Sequence, residues 1–470
     1  MTWISWRNAI FLIALAYVPM AASGQQRRPD LDRAFQAAVA HYNEGKLSEA
    51  ANELEHLAGE VPDSFEVHEL LGMVYSGESR DDLANQQLQK AVQLKPNSAA
   101  ARTNLATNLI RLGRFDAAEE QLRKSVALEP RSFDANHNLG ELYVRTGKLS
   151  DAVPFLRRAQ LTTPSSYDNG YDLAQAYLLT GRTDSARKVV NELLKEKNTA
   201  ELHNLLGQIE EKDGNFVVAA NEFEIAAHRD PSESNLFDWA SELLIHRTLE
   251  PAIQVFKESA QRYPNSARMA IGLGIALYSR GNYDEAIKAL LRASDLSPDD
   301  PRCYFFLAKA YDSSPKEANE VIDRFRRFSE EQPTNANAYY YYAMSLWKGK
   351  RAQDPNLDPH QIEALLRKAV TLDPKLSDAY LQLGNLFSDQ SKYAESIPEY
   401  EKALEGDSKL ADAHYRLAQA YVHTGQKEKA KEQFQVYQQL RAQHLADLDR
   451  QIGDIRQFVY AEKGESSAKQ

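Results

Sequence analysis

Residues 133–164 read FDANHNLGELYVRTGKLSDAVPFLRRAQLTTP. Leu139, Tyr143, Leu149, Ala152, Leu156 and Ala159 recur at intervals of three, four or six, the spacing of helical faces and not the alternation of a strand. Thr146-Gly147-Lys148 interrupts the pattern halfway and Pro164 ends it. Glycine supplies the left-handed backbone that closes a helix, and proline cannot continue one. The stretch therefore predicts two antiparallel helices, a first of about 14 residues and a partner beyond a short turn.

The same arrangement runs along the chain. Ala38, Gly72, Ala106, Gly140, Ala174, Gly207, Ala240, Gly274, Ala308, Ala343, Gly384 and Ala418 form a column of small residues spaced 33 to 35 apart, with one step of 41. A chemically unrelated column of helix breakers keeps the same rhythm: Pro62, Pro96, Pro130, Pro164, Asn198, Pro231, Pro264, Pro298, Pro333, Pro374 and Ser408. Ala50, Ala84, Ala118, Ala152, Ala186, Ala219, Ala252 and Ala286 each precede their breaker by one constant interval and fix the phase. A small residue in the first column lets two helix backbones approach; a larger one there overpacks, at roughly 1–3 kcal/mol. Each hairpin buries one face on its own partner and another on the next hairpin, so such units occur in arrays.

The columns Leu139-Gly140, Tyr143, Gly147, Ala152, Leu156, Ala159 and Pro164 resemble the tetratricopeptide repeat. That repeat is a helix-turn-helix unit with a period of about 34 residues. About 12 units cover residues 31–444, near 31–64, 65–98, 99–132, 133–166, 167–199, 200–233, 234–266, 267–300, 301–335, 336–376, 377–410 and 411–444. The fit departs at 234–265, where no Gly marks the turn, and at 301–374, where Ser313-Ser314-Pro315 and Lys348 to His360 disturb the turns. The resemblance implies an all-α solenoid, a right-handed superhelix whose first helices line a concave groove. Leu445, Leu448, Ile452, Ile455 and Val459 continue an apolar stripe through 445–463. Its expected role is a capping helix for the end of the array; the sharper alternative is a short coiled-coil seam for homodimerisation. Residues 464–470 are expected to be disordered.

The first two dozen residues differ in kind. Arg7 precedes the apolar run Ala9 to Val18, Pro19 ends it, and Ala21, Ala22, Ser23 and Gly24 follow, the order of a secretory signal peptide over residues 1–24. A linker at 25–30 leads into the array. About a dozen apolar residues are short for a bilayer span, which takes about 20. The expectation is a periplasmic or secreted protein with no stable membrane span after cleavage, an uncleaved anchor being the alternative.

Composition narrows the function. The 470 residues carry a net charge of −11, which argues against nucleic acid as a partner. Cys303 is the single cysteine, so no intramolecular disulfide forms. Gly272-Leu273-Gly274 follows no strand and lacks the third Gly of a dinucleotide loop. His68-Glu69-Leu70-Leu71-Gly72 begins like a zinc-protease helix but has Gly where the second His belongs. The array consumes the chain and leaves no segment of domain size for catalysis, so no enzyme, cofactor or metal site is expected.

A partner-binding surface is sought on the first helices. Glu201, Asn204, Gln208, Glu211, Asn235, Asp238 and Glu242 make a polar, acidic stretch in the sixth and seventh units. The next three units present Arg268, Ile271, Ile275 and Tyr278, then Arg302, Phe305 and Lys309, then Asn337, Tyr340, Met344 and Trp347. Aromatic and apolar side chains interleaved with Arg and Lys are the material of interface hot spots. These side chains, from Arg268 to Trp347, are the candidate site for a protein or peptide partner, an extended peptide or a helix. Arg302 and Lys309 would meet carboxylates, and Tyr340 and Trp347 would stack on apolar groups. The leading function is a non-enzymatic interaction scaffold outside the cytoplasm. The alternative is an accessory protein of polysaccharide synthesis or export or of secretion machinery, with glycan contact.

Overall fold

The computed structural model describes residues 29–351 and 358–442, together with Gly453, Arg456 and Val459; the proposed signal peptide lies outside the described residues. Among the described residues there are 24 helices and no strand, and no helix is long and apolar enough to cross a membrane. The chain forms two compact units divided between Arg229 and Asp230.

The N-terminal array consists of six hairpins: α1 (Pro29–Asn43) with α2 (Leu47–Glu60), α3 (Phe65–Gly77) with α4 (Asp81–Leu94), α5 (Ala99–Arg111) with α6 (Phe115–Leu128), α7 (Phe133–Arg145) with α8 (Leu149–Thr162), α9 (Tyr167–Leu179) with α10 (Thr183–Glu196), and α11 (Ala200–Lys212) with α12 (Phe216–Arg229). The C-terminal array has six more: α13 (Glu233–Ile245) with α14 (Leu249–Arg262), α15 (Ala267–Arg280) with α16 (Tyr283–Leu296), α17 (Pro301–Ser313) with α18 (Ala318–Glu331), α19 (Ala336–Arg351) with α20 (Pro359–Leu372), α21 (Ser377–Asp389) with α22 (Tyr393–Gly406), and α23 (Ala411–His423) with α24 (Lys427–Ala442). Within each array successive helices pack on one another, α17 on α18 through the stacked Tyr304 and Phe328 rings, and most first helices also touch the first helix of the next hairpin.

The small column works as the spacing predicts. A Cβ added to Gly72, Gly140, Gly207, Gly274 or Gly384 would come within 2.7 Å of Leu88, Leu156, Phe223, Leu290 or Tyr400, in each case the equivalent position in the second helix of the same hairpin. Ala38, Ala106, Ala174 and Ala240 occupy the same place with no exposed surface.

The breaker column has a second component that composition alone hides. Just after Pro62, Pro96, Pro130 and Pro264, with one residue between, stand Ser64, Ser98, Ser132 and Ser266. Each of these hydroxyls accepts a hydrogen bond from a backbone N–H in the first turn of the next helix, at 3.2–3.4 Å. The proline stops one helix and the serine starts the next, each cap contributing about 1 kcal/mol. Asp300 and Asp358 do the same before Pro301 and Pro359.

Between the two helices of a hairpin the chain needs one left-handed residue. Gly supplies it at Gly147 (φ +73) and six other turns. Where Gly is missing, the geometry persists on other residues: Ser79, Arg247, Glu317 and Ser391 all have φ between 56 and 60. The irregular sequence at 234–265 therefore folds as an ordinary hairpin, with Arg247 in the glycine position. At the other two departures α17 stops at Ser313 before a longer link to α18, and α19 extends to Arg351.

The capping expectation for the C-terminal stripe meets a specific counter-observation. Val459 is helical and fully buried, yet it belongs to the core cluster of α13–α19 with Phe237, Ile271, Ile275 and Leu307. The core at the end of the array, Tyr400, Leu417, Tyr421 and Ala430 among others, does not include it. Burial against the middle of the array, not its exposed end, satisfies this apolar side chain. Leu445, Leu448, Ile452 and Ile455 lie outside the described residues.

Candidate protein-interaction surface

The candidates on α15, α17 and α19 come together on consecutive first helices, but they do not form an open wall. Ile271 and Ile275 have no exposed surface and Trp347 retains 6%. All three pack in cores, the two isoleucines in the cluster that holds Val459. They are core residues and not the guest-facing ones expected of them: a helical stripe of apolar residues looks the same whether it faces solvent or another segment of its own chain.

The cations of that stretch are similarly engaged. Arg268 donates from Nε to Glu233 Oε1 at 2.6 Å and lies over the Phe237 ring. Arg302 grips the Asp300 carboxylate through two nitrogens, Nε to Oδ1 at 2.9 Å and Nη2 to Oδ2 at 2.7 Å. Lys309 rests 4.4 Å above Phe305. Tyr278 packs beside Tyr283, and Tyr340 beside Tyr341. Burial drives the Tyr340 hydroxyl well above the normal tyrosine range, with the charge of Asp378 adding to the shift. Met344 is half-buried and Asn337 is exposed. Cys303 is fully buried, its Sγ 2.9 Å from the Asp300 carbonyl oxygen, and burial holds the thiol protonated far above its usual range.

A different surface has unmet chemistry. In the N-terminal array the second, fifth or sixth, and ninth residues of the first helices make one stripe, because these offsets lie on the same helical face. On α7 the stripe includes Asp134 and Glu141; on α9 Asp168, Tyr171 and Asp172; on α11 Glu201 and Asn204. Asp172, on α9, is half-buried. It has no hydrogen-bond or ion-pair partner among the described residues. Burial pushes its carboxyl up to about 7, and the negative charges of Glu141 and Asp168 push it further in the same direction.

Aromatic residues precede Asp172 on the same helix. Tyr167 and Tyr171 stack with ring centroids 6.5 Å apart, and the Tyr167 hydroxyl reaches Thr199 Oγ1 at 2.8 Å and Glu201 Oε2 at 3.4 Å. Burial raises the Tyr171 hydroxyl to about 12, with Tyr167, Glu201 and Asp172 adding negative charge nearby. Further along, Glu69 of α3 accepts a long bond from Asn104 Nδ2 of α5 at 3.4 Å, and burial lifts its carboxyl to about 7. The acidity of Glu201 and the units after it is visible in the sequence. That of Glu141 and Asp172 escapes a reading made one helix at a time, because their proximity crosses a repeat boundary and emerges only when first helices are compared column by column.

Comparison with known proteins agrees with a repeat architecture. The family described as TPR repeat matches residues 274–312 and 384–425, and tetratricopeptide repeat families match 103–168, 147–209 and 411–444. The chain is a multi-repeat tetratricopeptide repeat protein. It is 27% identical over 199 residues to the protein O-mannosyl-transferase TMTC3 of Mus musculus, a match covering 40% of this chain and 20% of that one. The chain thus spans about a fifth of the length of this curated relative. Among solved structures it is similar to pilF of Pseudomonas aeruginosa (17% identity, 44% of this chain and 95% of that chain, TM-score 0.40). It is also similar to PilW, a type IV pilus biogenesis factor (20% identity, 43% and 95%, TM-score 0.39).

Proposed function

We propose that this protein is a non-enzymatic interaction scaffold that holds an extended protein segment against the first helices of its N-terminal array. The observation that carries this reading is the stripe shared by consecutive first helices, on which the half-buried Asp172 follows the stacked Tyr167 and Tyr171 on α9 and has no hydrogen-bond or ion-pair partner among the described residues. Tetratricopeptide repeats supply a wall of this kind by stacking hairpins whose first helices share one face. The order of residues 1–24 supports a site of action outside the cytoplasm.

The glycan-contact alternative has less support. Trp347 is packed inside the protein and Tyr340 is half-buried beside Tyr341, so the aromatics of that stretch offer little open surface to a sugar ring. The O-mannosyl-transferase name belongs to relatives of which this chain matches about a fifth.

The test is site-specific photo-crosslinking in the full chain. A photoreactive residue at Gln175, on the first-helix stripe, should give a discrete adduct with a partner; one at Lys188, on the second helix α10, should not. Equal crosslinking from both positions, or from neither, would sink the scaffold reading for this face.

A further inference from the structure

We propose that the C-terminal segment carrying Val459 is the resident occupant of the first-helix face of α13 and α15, an autoinhibitory contact that closes this face to partners until a competing amphipathic helix displaces it. This contact lies in the C-terminal array and goes beyond the scaffold reading of the N-terminal one.

Among the described residues one column sets α13 and α15 apart from the other first helices. It consists of the residue that follows each member of the small column. In the N-terminal array this residue stays half-buried or exposed, as at Glu141, Gln175 and Gln208, and beyond α15 it does so again at Lys309, Met344 and Asn385. Ser241 on α13 and Ile275 on α15 instead have no exposed surface, and Ile271, one turn before Ile275, is equally closed. Val459, also without exposed surface, shares the core of Ile271, Ile275 and Phe237. The sequence follows the burial: isoleucine stands at 271 and 275 where α7 has His137 and Glu141, and α11 has Asn204 and Gln208. A column that turns apolar where it is closed off from water is suited to a permanent companion.

The segment fits that place. Leu445, Leu448, Ile452, Ile455 and Val459 recur at intervals of three and four, the spacing of one helical face. Gly453 and Arg456 are helical and exposed while Val459 is helical and buried, so one side meets the array and another meets solvent. A short stretch of chain joins Val459 to the end of α24 at Ala442. Such a tether presents its cargo at an effective concentration on the order of millimolar. A free partner must outcompete that occupancy, so the contact sets a threshold for binding. The competitor that fits carries the same apolar spacing, since a polar extended peptide has little to offer Ile271 and Ile275.

The experiment is fluorescence anisotropy with the full chain and a labelled synthetic peptide of residues 443–463. Val459→Asp releases the resident segment and should bind this peptide roughly tenfold or more tightly than the wild type does; a peptide carrying the same substitution should bind neither. Equal binding of the native peptide by wild type and variant, binding by neither, or equally tight binding of the substituted peptide would each overturn the proposal. If Val459→Asp does not fold, a protease site inserted after Ala442 lets the segment be cut in the folded protein. The fragment should then stay associated and leave when excess peptide 443–463 is added; immediate loss would overturn the contact. A wild type that sediments as a dimer beside a monomeric Val459→Asp would put the segment on a second copy and overturn the intramolecular arrangement.

Discussion

Gly140 and Leu156 meet where two antiparallel helices come closest: a Cβ on Gly140 would stand 2.5 Å from both Cγ and Cδ2 of Leu156, and 3.2 Å from its backbone nitrogen. The contact is shorter than side chains allow, so α7 and α8 approach this closely because residue 140 has no side chain. Gly140→Val should therefore cost roughly 1–3 kcal/mol through overpacking. Urea unfolding followed by circular dichroism measures it; a midpoint equal to the wild type would mean the column is not under packing pressure.

Arg247 should respond in the opposite direction. Its φ of 57 places an ordinary side chain in the left-handed region, which costs roughly 1–2 kcal/mol relative to the right-handed one. Arg247→Gly relieves that cost but adds freedom to the unfolded chain. The expected net effect is a stabilisation of several tenths of a kcal/mol to about 1 kcal/mol, visible as a raised melting temperature. A lowered one would show that the Arg247 side chain contributes more than its backbone costs.

Asp172 and Glu69 set a pH signature. Both carboxyls titrate near 7 in the folded protein, above their ordinary values of 3.8 and 4.5. Between these limits the native state holds more protons than the unfolded chain, so stability falls as pH rises from about 4.5 through about 7 and is regained on acidification. Wild-type protein should melt lower than Asp172→Asn at pH 8, and the gap should close toward pH 5. A gap independent of pH would mean that the carboxylate does not titrate in this range.

Val459→Asp tests the C-terminal segment. The native side chain has no exposed surface and shares a core with Ile271 and Ile275. A carboxylate there lacks a counter-charge and should destabilise its docking by roughly 3 kcal/mol or more. Hydrogen exchange should accelerate in α15, at Ile271 and Ile275 above all; unchanged protection there would place Val459 elsewhere.

Much of the fold is legible because the small residues and the breakers solve different problems at the same interval. Gly140 exists for Leu156, and Pro130 exists to stop α6, so agreement between their columns leaves a repeated hairpin as the common cause. The turn at Arg247 is illegible because the backbone conformation is imposed by the two helices it joins, with no glycine to announce it. The candidate wall differs again. Periodicity locates the right helices, but Ile271 and Ile275 are buried in the core shared by α13–α19 and Val459, which a helical wheel cannot register. The engagement of Arg302 is written locally, since Asp300-Pro301-Arg302 sets a capping carboxylate beside the guanidinium. Asp172 requires two helices at once: its environment is made by Glu141, one repeat away.

The thiol of Cys303, closed in beneath the first turn of α17, gives the protein a reporter that no engineering is needed to install. An alkylating reagent finds a protonated sulfur with no exposed surface in the native array, so modification waits on opening of that hairpin. The speed of labelling becomes a clock for breathing in the C-terminal half alone, readable by mass without disturbing the rest of the molecule.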